Sequence, residues 1–564
     1  MSQTPWLAHY DAGVPAELDF EEVSLSGFLD RTVQRFPERV AIAFMNRTLT
    51  YSELARDVDR LATGFRHLGV EPGTRVAIML PNLPQTVIAY YAALAAGAEV
   101  VLTNPLYTQR EVEHQWRDAD VHLVVTADFL WAHTVEPIRR RLPVKHYILT
   151  SIPDYLRFPL SFLARWKLKR ESPPKVAPFT EGDGVIGMRS LMARASGPPP
   201  KFHRSLDAIA VLQYTGGTTG PSKGAMLTHR NLSANVQQIS AWFVGLQPGE
   251  EVLLVALPLF HVFGMTVGMN WAVECGATMA LVANPRDAKG LAKTIEKRGV
   301  TIFPAVPAMF NALNQLEGIE GMDLRSVKYC FSGSAPIADE VLTRFEALTG
   351  ARILEGFGMS ESSPVTHVNP LQGERKVGSI GMPVSSTLAK IVDVDDPTRQ
   401  LDIGEEGELL MRGPQVMEGY WKQPAESARA LVDGWLLTGD LATMDADGYF
   451  RIVGRKKDMI NCNGMKVYPD EVDNVLMAHP DILEAATIGV PDPRFTETVK
   501  SFVVLRPGTS LDAEGVRAYC AKNLAKYKCP RQVEFLDELP KSSVMKILRR
   551  ELRDREIALL ESPA

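Results

Sequence analysis

The sequence predicts an α/β protein built on mostly parallel sheets that are covered by helices. Short, branched apolar runs alternate with longer amphipathic segments, and no repeat of fixed period is present. A length of 564 residues exceeds what one hydrophobic core usually organises, so we expect more than one domain. The hydrophobic content of 45% is typical of a globular protein.

The elements follow from local patterns along the chain. Residues 20–75 are predicted to be helical, because apolar side chains such as Leu29, Val33 and Leu54 recur every three or four positions. A further helix is predicted at 84–96. Strands are predicted at 75–80, 100–102, 122–126, 208–212, 251–258, 277–283, 300–304, 327–331 and 352–356. This alternation is typical of parallel strands with helical crossovers.

Composition and charge restrict the classes of partner and compartment. A net charge of −6 argues against general nucleic-acid binding. The five cysteines are scattered and lack CxxC spacing, which excludes a disulfide scaffold and a zinc cluster and fits a reducing compartment. The N-terminus lacks a signal-peptide pattern, and the longest apolar stretch, 87–98, is too short to span a bilayer. We therefore expect a cytoplasmic protein, with peripheral attachment to the inner face of the cytoplasmic membrane as an open hypothesis.

Segment 155–170 interrupts the alternation. It carries five Lys/Arg residues and no acidic residue. In a helix, Phe158, Phe162 and Trp166 would share one side, and basic residues beside an aromatic face are typical of a helix lying in a membrane interface. The alternative is that the aromatic rings pack on the protein's own surface. The sequence leaves both interpretations open.

The stretch YTGGTTGPSKG at 214–224 has the composition of a phosphate-binding loop. Its glycines let backbone N–H groups approach an anion, its hydroxyls add donors, and its lysine supplies positive charge. These residues are Thr215, Gly216, Gly217, Thr218, Thr219, Gly220, Ser222 and Lys223. A flexible surface loop is the alternative, but the preceding buried strand at 208–212 favours phosphate. The stretch is not a Walker A loop, which requires Gly-Lys-Ser/Thr.

Further motifs match those of one enzyme superfamily in the same order. They are PLFH at 258–261, SGSAP at 332–336, EGFGMSE at 355–361, GEL at 407–409, GY at 419–420, TGD at 438–440, GRKKD at 454–458 and PKSSVMK at 540–546. With TGGTTGPSK at 215–223, they make the chain resemble the adenylate-forming enzymes: acyl-CoA synthetases, luciferases and peptide-synthetase adenylation domains. The whole run is most similar to bacterial long-chain fatty-acid–CoA ligases.

The resemblance implies a site for ATP and Mg²⁺. The residues expected to bind the nucleotide are Thr215, Gly216, Gly217, Thr218, Thr219, Gly220, Lys223, Ser334, Ala335, Glu355, Gly356, Phe357, Gly358, Ser360, Asp440 and Arg455. Glu361 is expected to hold Mg²⁺, for which its carboxylate is a suitable hard ligand, and Asp440 is expected to accept both ribose hydroxyls. Outside this set of motifs, the Ser360–Glu361 pair would be assigned to a helix cap and Asp440 to a turn.

Two further residues are assigned catalytic roles by the resemblance. His261 is expected to gate or orient the acyl carboxylate, although a lone histidine in an apolar setting is more often structural. Lys546 is expected to bridge that carboxylate and the α-phosphate of ATP, although nearby arginines also fit a solvated basic face. Relatives usually carry glycine before this lysine, whereas this chain carries Met545. If the position needs a positive φ, methionine costs on the order of 1–2 kcal/mol.

The resemblance also implies two domains. A large N-terminal domain at 1–454, made of layered mostly parallel sheets, is expected to bind the nucleotide and the acyl group. A small α+β C-terminal domain at 455–564 is expected to carry the catalytic lysine and to rotate about a pivot at Lys457.

The implied reaction joins a long-chain or medium-chain fatty acid to CoA at the expense of ATP, giving acyl-CoA, AMP and pyrophosphate. Apolar residues expected near the acyl chain are Phe263, Met265, Val306, Met309, Phe310 and Val365. The alternatives are another acyl- or aryl-CoA ligase, an acyl-AMP ligase that loads a carrier protein, and a non-catalytic fatty-acid or adenylate binder. A homodimer is also left as a hypothesis.

Overall fold

A computed structural model describes residues 4–200, 205–215, 222–462, 465–492, 496–542 and 547–561. Its first strands are β1 Val40–Phe44, β2 Arg47–Thr50, β3 Arg75–Met79, β4 Glu99–Leu102, β5 Leu123–Ala127, β6 His146–Thr150, β7 Val185–Gly187, β8 Ile209–Thr215, β9 Lys223–Thr228, β10 Val252–Val255, β11 Thr278–Leu281, β12 Ile302–Ala305 and β13 Tyr329–Ser332. The remaining strands are β14 Arg352–Gly358, β15 Val365–Val368, β16 Met382–Pro383, β17 Leu388–Val392, β18 Gly407–Arg412, β19 Leu431–Val432, β20 Trp435–Met444, β21 Phe450–Arg455, β22 Ile460–Cys462, β23 Met465–Val467, β24 Ile482–Asp492, β25 Thr496–Leu505 and β26 Gln532–Phe535.

Helices alternate with these strands through most of the chain. They are α1 Leu25–Arg35, α2 Tyr51–His67, α3 Pro84–Ala96, α4 Gln109–Asp118, α5 Asp128–Leu130, α6 Leu160–Leu168, α7 Met188–Arg194, α8 His229–Trp242, α9 Trp271–Glu274, α10 Ala288–Arg298, α11 Pro307–Asn314, α12 Asp339–Thr349, α13 Pro424–Ala430, α14 Pro469–Met477, α15 Ala513–Asn523 and α16 Arg549–Glu561. A π-helical segment, Gly264–Asn270, leads into α9.

Two large sheets form the main part of the fold. The first has seven strands in the order β7-β6-β5-β3-β4-β8-β9, all parallel except for the antiparallel pair β8–β9. The second has nine strands in the order β16-β15-β14-β13-β12-β10-β11-β1-β2, and it is parallel from β14 to β1. The predicted mostly parallel α/β class is confirmed.

Helix α3 links the two large sheets because it is apolar on all sides. It begins with Pro84, which suits the first helical position, and it ends at Gly97, whose φ of 94° favours glycine. The helix packs against β3 and β4 of the seven-stranded sheet. On its other side, the hydroxyl of Tyr91 lies 3.0 Å from Oδ1 of Asn270. Asn270 ends the π-helical segment that follows β10, a strand of the nine-stranded sheet.

The helical prediction for residues 20–75 is wrong in its middle. Helices α1 and α2 occupy the two ends, but β1 and β2 form a hairpin between them. Strand β1 also pairs in parallel with β11, more than 200 residues later in the chain. This distant pairing stabilises an extended conformation that local apolar spacing does not reveal.

The last part of the chain has smaller sheets. Strands β17-β18-β20-β19 form one antiparallel sheet, with β21 added to β20. Beyond β21, strands β23-β22-β25-β24 form another, with β26 added to β25, and α14 and α15 pack against it. This final unit has its own core around Val467, Val472 and Val503, which agrees with a small α+β C-terminal part.

The segment before α1 is attached to residues far along the chain. Trp6 is buried, and a Cβ on Gly448 would lie 2.5 Å from its backbone nitrogen. The carboxylate of Asp11 accepts hydrogen bonds from the backbone N–H groups of Gln372 and Gly373, at 2.9 and 2.6 Å. The Tyr10 hydroxyl donates to the carbonyl of Pro383. Trp6, Tyr10 and Asp11 therefore attach the segment before α1 to the rest of the fold.

Segment 155–170 is helical only in part. Phe158 precedes α6, whereas Phe162 and Trp166 lie on it one turn apart. All three rings are largely exposed, at 82%, 66% and 54%. The structure therefore does not have these rings packed on the protein's own surface. Within the described residues, none of the helices is long and apolar enough to cross a bilayer.

Candidate active site

A cavity of about 2800 Å³ lies at the carboxyl ends of the parallel strands in the nine-stranded sheet and extends to the C-terminal unit. Its wall includes every described residue that the resemblance assigned to the nucleotide, to Mg²⁺ or to catalysis: Thr215, Lys223, His261, Ser334, Ala335, Glu355, Gly356, Phe357, Gly358, Ser360, Glu361, Asp440 and Arg455. Ser222 of the glycine-rich stretch does not line it. Ligands in α/β folds usually bind at this edge of a sheet. The predicted residues Gly216, Gly217, Thr218, Thr219, Gly220 and Lys546 lie outside the described residues.

The glycine-rich stretch joins two antiparallel strands. Thr215 at the end of β8 pairs directly with Lys223 at the start of β9. In a P-loop the glycines lead from a strand into a helix, so this topology agrees with the exclusion of a Walker A loop. The Lys223 ammonium forms an ion pair with Glu426 of α13 and lies 5.1 Å from the ring centroid of Tyr420. A positive charge is thereby positioned at the cavity wall.

Tyr420 connects this lysine to Glu361. Its hydroxyl donates a hydrogen bond of 2.8 Å to Oε1 of Glu361, whose own backbone carbonyl accepts from the N–H of Met417 at 2.8 Å. Burial, and secondly the charge of Glu361, raise the pKa of Tyr420 well above its usual value, so the phenol stays protonated and acts as a donor. Sequence reasoning gave no role to Tyr420 or Glu426. Tyr420 could have been found from its place in the GY motif, whereas no local sequence pattern points to Glu426.

The segment Glu355–Gly358 is pressed against its neighbouring strand. A Cβ on Gly358 would lie 2.1 Å from the carbonyl oxygen of Pro364, and one on Gly356 would lie 3.0 Å from that of His367. Only glycine allows this approach, which leaves the other edge of the segment facing the cavity. Burial raises the pKa of Glu355 to about 7, while the backbone N–H of Gly378 donates to its Oε2 at 2.7 Å.

Asp440 and Arg455 face each other across β20 and β21. The Arg455 Nε lies 2.9 Å from Oδ1 of the buried Asp440, and this carboxylate raises the pKa of the guanidinium. The next residue, Lys456, donates to Glu408 Oε2 at 2.9 Å and to the Val394 carbonyl at 2.8 Å. Arg455 is the last residue of β21, so strand pairing extends one residue past the predicted boundary at 454.

The apolar side of the cavity begins near His261. The ring nitrogen Nδ1 of His261 accepts a hydrogen bond of 3.3 Å from the backbone N–H of Phe263. Of the residues expected near an acyl chain, Phe263, Val306 and Val365 line the cavity. The expectation is wrong for the other three, because Met265, Met309 and Phe310 are packed inside hydrophobic cores.

The C-terminal unit contributes charged residues to the same cavity. Arg549 at the start of α16 forms ion pairs with Asp470 and Asp473, and Lys528 lies 2.6 Å from a carboxylate oxygen of Glu471. The cavity is lined by Asp470, Glu471, Asp473 and Lys528 from these ion pairs. Ser542 and Ile547 also line it. The described part of the chain has no cluster of three or more His, Cys, Asp or Glu side chains arranged for a metal.

Comparison with known proteins agrees with this arrangement. Residues 29–421 match the AMP-binding enzyme family, and residues 471–546 match the AMP-binding enzyme C-terminal domain. The chain is 42% identical over 559 residues to the long-chain-fatty-acid–CoA ligase of Bacillus subtilis (strain 168), with 98% of each chain covered. It is 41% identical over 564 residues to the long-chain-fatty-acid–CoA ligase of Yersinia pestis, again with 98% of each chain covered.

A solved structure gives the same result for the fold. The anthranilate CoA ligase AuaEII, in complex with anthranoyl-AMP, is similar with a TM-score of 0.84 and 25% sequence identity. The similarity covers 97% of this chain and 99% of that one. Sequence motifs, cavity residues and full-length similarity agree, and the chain belongs to the AMP-binding enzyme family.

Proposed function

We propose that this protein is a fatty-acid–CoA ligase that uses ATP and acts on long-chain or medium-chain acids. The carboxylate of the acid attacks the α-phosphate of ATP and pyrophosphate leaves, giving an acyl adenylate. The thiol sulfur of CoA then attacks the acyl carbonyl, its proton is released, and AMP leaves. The observation that carries the proposal is that the thirteen described residues assigned to the nucleotide, to Mg²⁺ or to catalysis, drawn from positions 215 to 455, line one cavity.

The first step brings two anions together, so it requires positive charge and an exclusion of water. Four cationic side chains of the described motifs lie at the cavity wall, those of Lys223, Arg455, Lys456 and Lys457. We assign Lys223 to the phosphates and Arg455, with Asp440, to the ribose end of the nucleotide. Lys546 is assigned to the attacking carboxylate, and the support for this is that Ser542 and Ile547, on either side of its segment, line the same cavity.

Glu361 is the residue that would hold Mg²⁺. One carboxylate together with phosphate oxygens is a common way of binding this ion, and Glu361 is a buried carboxylate oriented by the Tyr420 hydroxyl. When bound, the ion would neutralise phosphate charge and so favour the departure of pyrophosphate. The chain itself contributes the orientation of the Glu361 carboxylate and the charge of the neighbouring Lys223.

The adenine is assigned to the edge of the Glu355–Gly358 segment, together with Ser334 and Ala335. The support for this is geometric. The glycines of the segment let it pack closely against the neighbouring strand, so that its other edge faces the cavity, and Ser334 has a φ of 73°, which turns its backbone sharply at the cavity. His261 is assigned to the acyl end, because apolar side chains including Phe263 and Val306 line the cavity beside it.

The C-terminal unit, residues 455–564, is proposed to move between the two steps. Among the described residues, polar contacts at the junction include those of Arg455 with Asp440 and of Lys456 with Glu408, which a movement would have to break. A rotation about Lys457 would exchange the face that carries Lys546 for the face that follows β22. Such a change lets one cavity serve two half-reactions.

AMP release that depends on both fatty acid and CoA tests the proposed function. Purified protein with ATP and Mg²⁺ is given acids from C6 to C18 and aryl acids in parallel, and AMP and acyl-CoA are quantified. We expect AMP to form only when a fatty acid and CoA are both present. Preference for an aryl acid would identify another CoA ligase, AMP formation without CoA would favour loading of a carrier protein, and no turnover would leave a binder.

We also propose that the protein is cytoplasmic and contacts the inner face of the membrane through residues 155–170. The support is the exposure of Phe158, Phe162 and Trp166 beside basic residues, and the five cysteines that all remain free thiols. Sedimentation with anionic vesicles is expected to fall in a Phe162→Ser/Trp166→Ser variant. Val432→Ser, which changes another exposed apolar residue, is the matched control and should sediment as wild type does. Unchanged binding of the double variant would remove the proposal.

A further inference from the structure

A second cavity lies next to segment 155–170, away from the candidate active site. It has a volume of about 340 Å³ and is lined by Arg47, Arg60, Arg157 and Arg189, together with Asp57, Asp154, Tyr155, Leu156, Met192 and Ala193. We call it the arginine pocket. It shares no lining residue with the large cavity. The structure thus places four guanidinium groups around one small cavity that the proposed reaction does not use.

We propose that the arginine pocket binds the phosphate of an anionic lipid headgroup. This inference rests on the proposed membrane contact and names its chemistry. Guanidinium groups present planar pairs of donors that match phosphate oxygens, and several of them around one cavity make a phosphate site rather than a site for a single carboxylate. A lipid is favoured over a free phosphate ester because the pocket adjoins the exposed aromatic side chains of segment 155–170.

The carboxylates of the pocket cancel only part of its positive charge. Asp57 accepts a hydrogen bond of 2.8 Å from the Tyr155 hydroxyl, and Asp154 pairs with Arg165, which lies outside the pocket, at 3.1 Å. Four arginines against two aspartates leave the lining with a net charge of +2. The pocket therefore has the charge to attract an anion.

The arginines are also available for a ligand. In the part of the chain that the structure describes, the side chains of Arg60, Arg157 and Arg189 form neither ion pairs nor hydrogen bonds, and each of these residues is exposed. Arg47 is 3.9 Å from Glu53, and its buried Nε has no hydrogen-bond partner among the described residues. Exposed guanidinium donors without protein partners in the described part of the chain, such as those of Arg60, Arg157 and Arg189, are those that a phosphate would satisfy.

The pocket is continuous with the apolar surface. Arg157 lines the pocket, and the next residue is Phe158, whose side chain is 82% exposed. Helix α6 follows directly with Phe162 and Trp166, and the Arg170 guanidinium lies 3.7 Å from the Trp166 ring centroid. A phospholipid carries its phosphate next to its acyl chains. The cationic pocket matches the phosphate, and the exposed aromatic rings beside it match the acyl region.

The test compares two kinds of anionic vesicle with equal surface charge. Full-length protein is sedimented with phosphatidylcholine vesicles that contain either phosphatidic acid or a succinylated diacylglycerol, which carries a carboxylate and no added phosphate, each at a fraction adjusted to give the same zeta potential. We expect the wild type to prefer phosphatidic acid. An Arg60→Gln/Arg189→Gln variant should lose about tenfold in partitioning on those vesicles, because charge-assisted hydrogen bonds are lost, and should lose the preference.

A matched variant controls for charge alone. Arg56→Gln/Arg194→Gln removes the same charge from the same two helices, α2 and α7, but neither residue lines the pocket. It should keep the preference for phosphatidic acid. Equal losses in both double variants, or equal losses on both vesicle types, would overturn the pocket and leave only diffuse attraction. Acyl-CoA formation with a short soluble acid should stay at the wild-type level in both, which reports that they fold.

Two further measurements separate the causes of failure. If glycerol 3-phosphate binds the wild type but not Arg60→Gln/Arg189→Gln in equilibrium dialysis, while vesicle binding is unchanged, the pocket takes a free phosphate ester and the lipid assignment is overturned. If Phe162→Ser/Trp166→Ser leaves vesicle binding unchanged, the membrane contact itself fails. Loss of vesicle binding in that variant, together with loss of the phosphatidic acid preference in the arginine variant, supports both.

Discussion

Replacing Tyr420 with phenylalanine tests one hydrogen bond of the candidate active site. The substitution removes the hydroxyl that donates to Glu361 Oε1 over 2.8 Å. It keeps the aromatic ring, which lies 5.1 Å from the Lys223 ammonium. Because Glu361 is buried, water is expected to replace the lost donor only in part. The change therefore affects how the carboxylate is oriented and little else.

The expected magnitude follows from that contact. A hydrogen bond to a charged group contributes about 1.5–3 kcal/mol. At about 1.4 kcal/mol for each factor of ten, its loss corresponds to roughly a ten- to hundredfold effect. Since Glu361 is proposed to hold Mg²⁺ on the phosphates, we expect kcat/KM for ATP to fall by this factor and the Mg²⁺ requirement to rise.

The assay is the exchange of labelled pyrophosphate into ATP at saturating fatty acid, with the Mg²⁺ concentration varied. Tyr107→Phe is the matched control, because Tyr107 lines the same cavity while its hydroxyl has no hydrogen bond among the described residues. The control should behave as wild type does. If Tyr420→Phe stays within about twofold of Tyr107→Phe at every Mg²⁺ concentration, the proposed link from Tyr420 through Glu361 to the phosphates is refuted.

Three other substitutions address the nucleotide, the acid–base behaviour and the catalytic segment. Because burial raises the pKa of Glu355 from 4.5 to about 7, the folded state binds more protons than the unfolded state in that window and loses stability as pH rises through it. In Glu355→Gln, the free energy of unfolding should fall less with rising pH, by up to about 3 kcal/mol, as measured by urea unfolding at a series of pH values. An unchanged dependence on pH would contradict the raised pKa of Glu355 as its cause. Asp440→Asn should raise KM for ATP by about tenfold in pyrophosphate exchange and reduce the preference for ATP over 2′-deoxyATP; a fully kept preference would argue against ribose binding. Met545→Gly should raise the rate of adenylate formation by up to about tenfold if a positive φ is needed before Lys546, and no gain would mean that methionine is tolerated there.

Most of the fold could be predicted because its central strands are buried on both faces. Such strands appear in the sequence as short apolar runs, and those predicted at 75–80, 122–126 and 327–331 coincide with β3, β5 and β13. The hairpin of β1 and β2 could not be found in this way. Its strands are stabilised by a partner strand more than 200 residues away, and the flanking helices have the stronger local pattern.

The candidate site shows the same contrast: residues within local motifs could be predicted, and those that depend on distant contacts could not. Glycines and hydroxyls in order along the chain identified the wall residues, because their conformational freedom and donors are visible in sequence. The partner of Lys223 was missed, since Glu426 lies 203 residues away in an ordinary helix. The apolar residues Met265 and Phe310 were assigned wrongly, because composition does not distinguish the wall of a cavity from a packed core.

The attachment of residues before α1 has a consequence for synthesis on the ribosome. Tyr10 donates to a carbonyl 373 positions later, and Trp6 lies against Gly448, so the residues before α1 reach these partners only after several hundred further residues have been made. At about 5–20 residues per second, that interval lasts on the order of 20–75 s. Throughout it, the Trp6 indole, which is buried in the folded protein, lacks the distant residues that cover it.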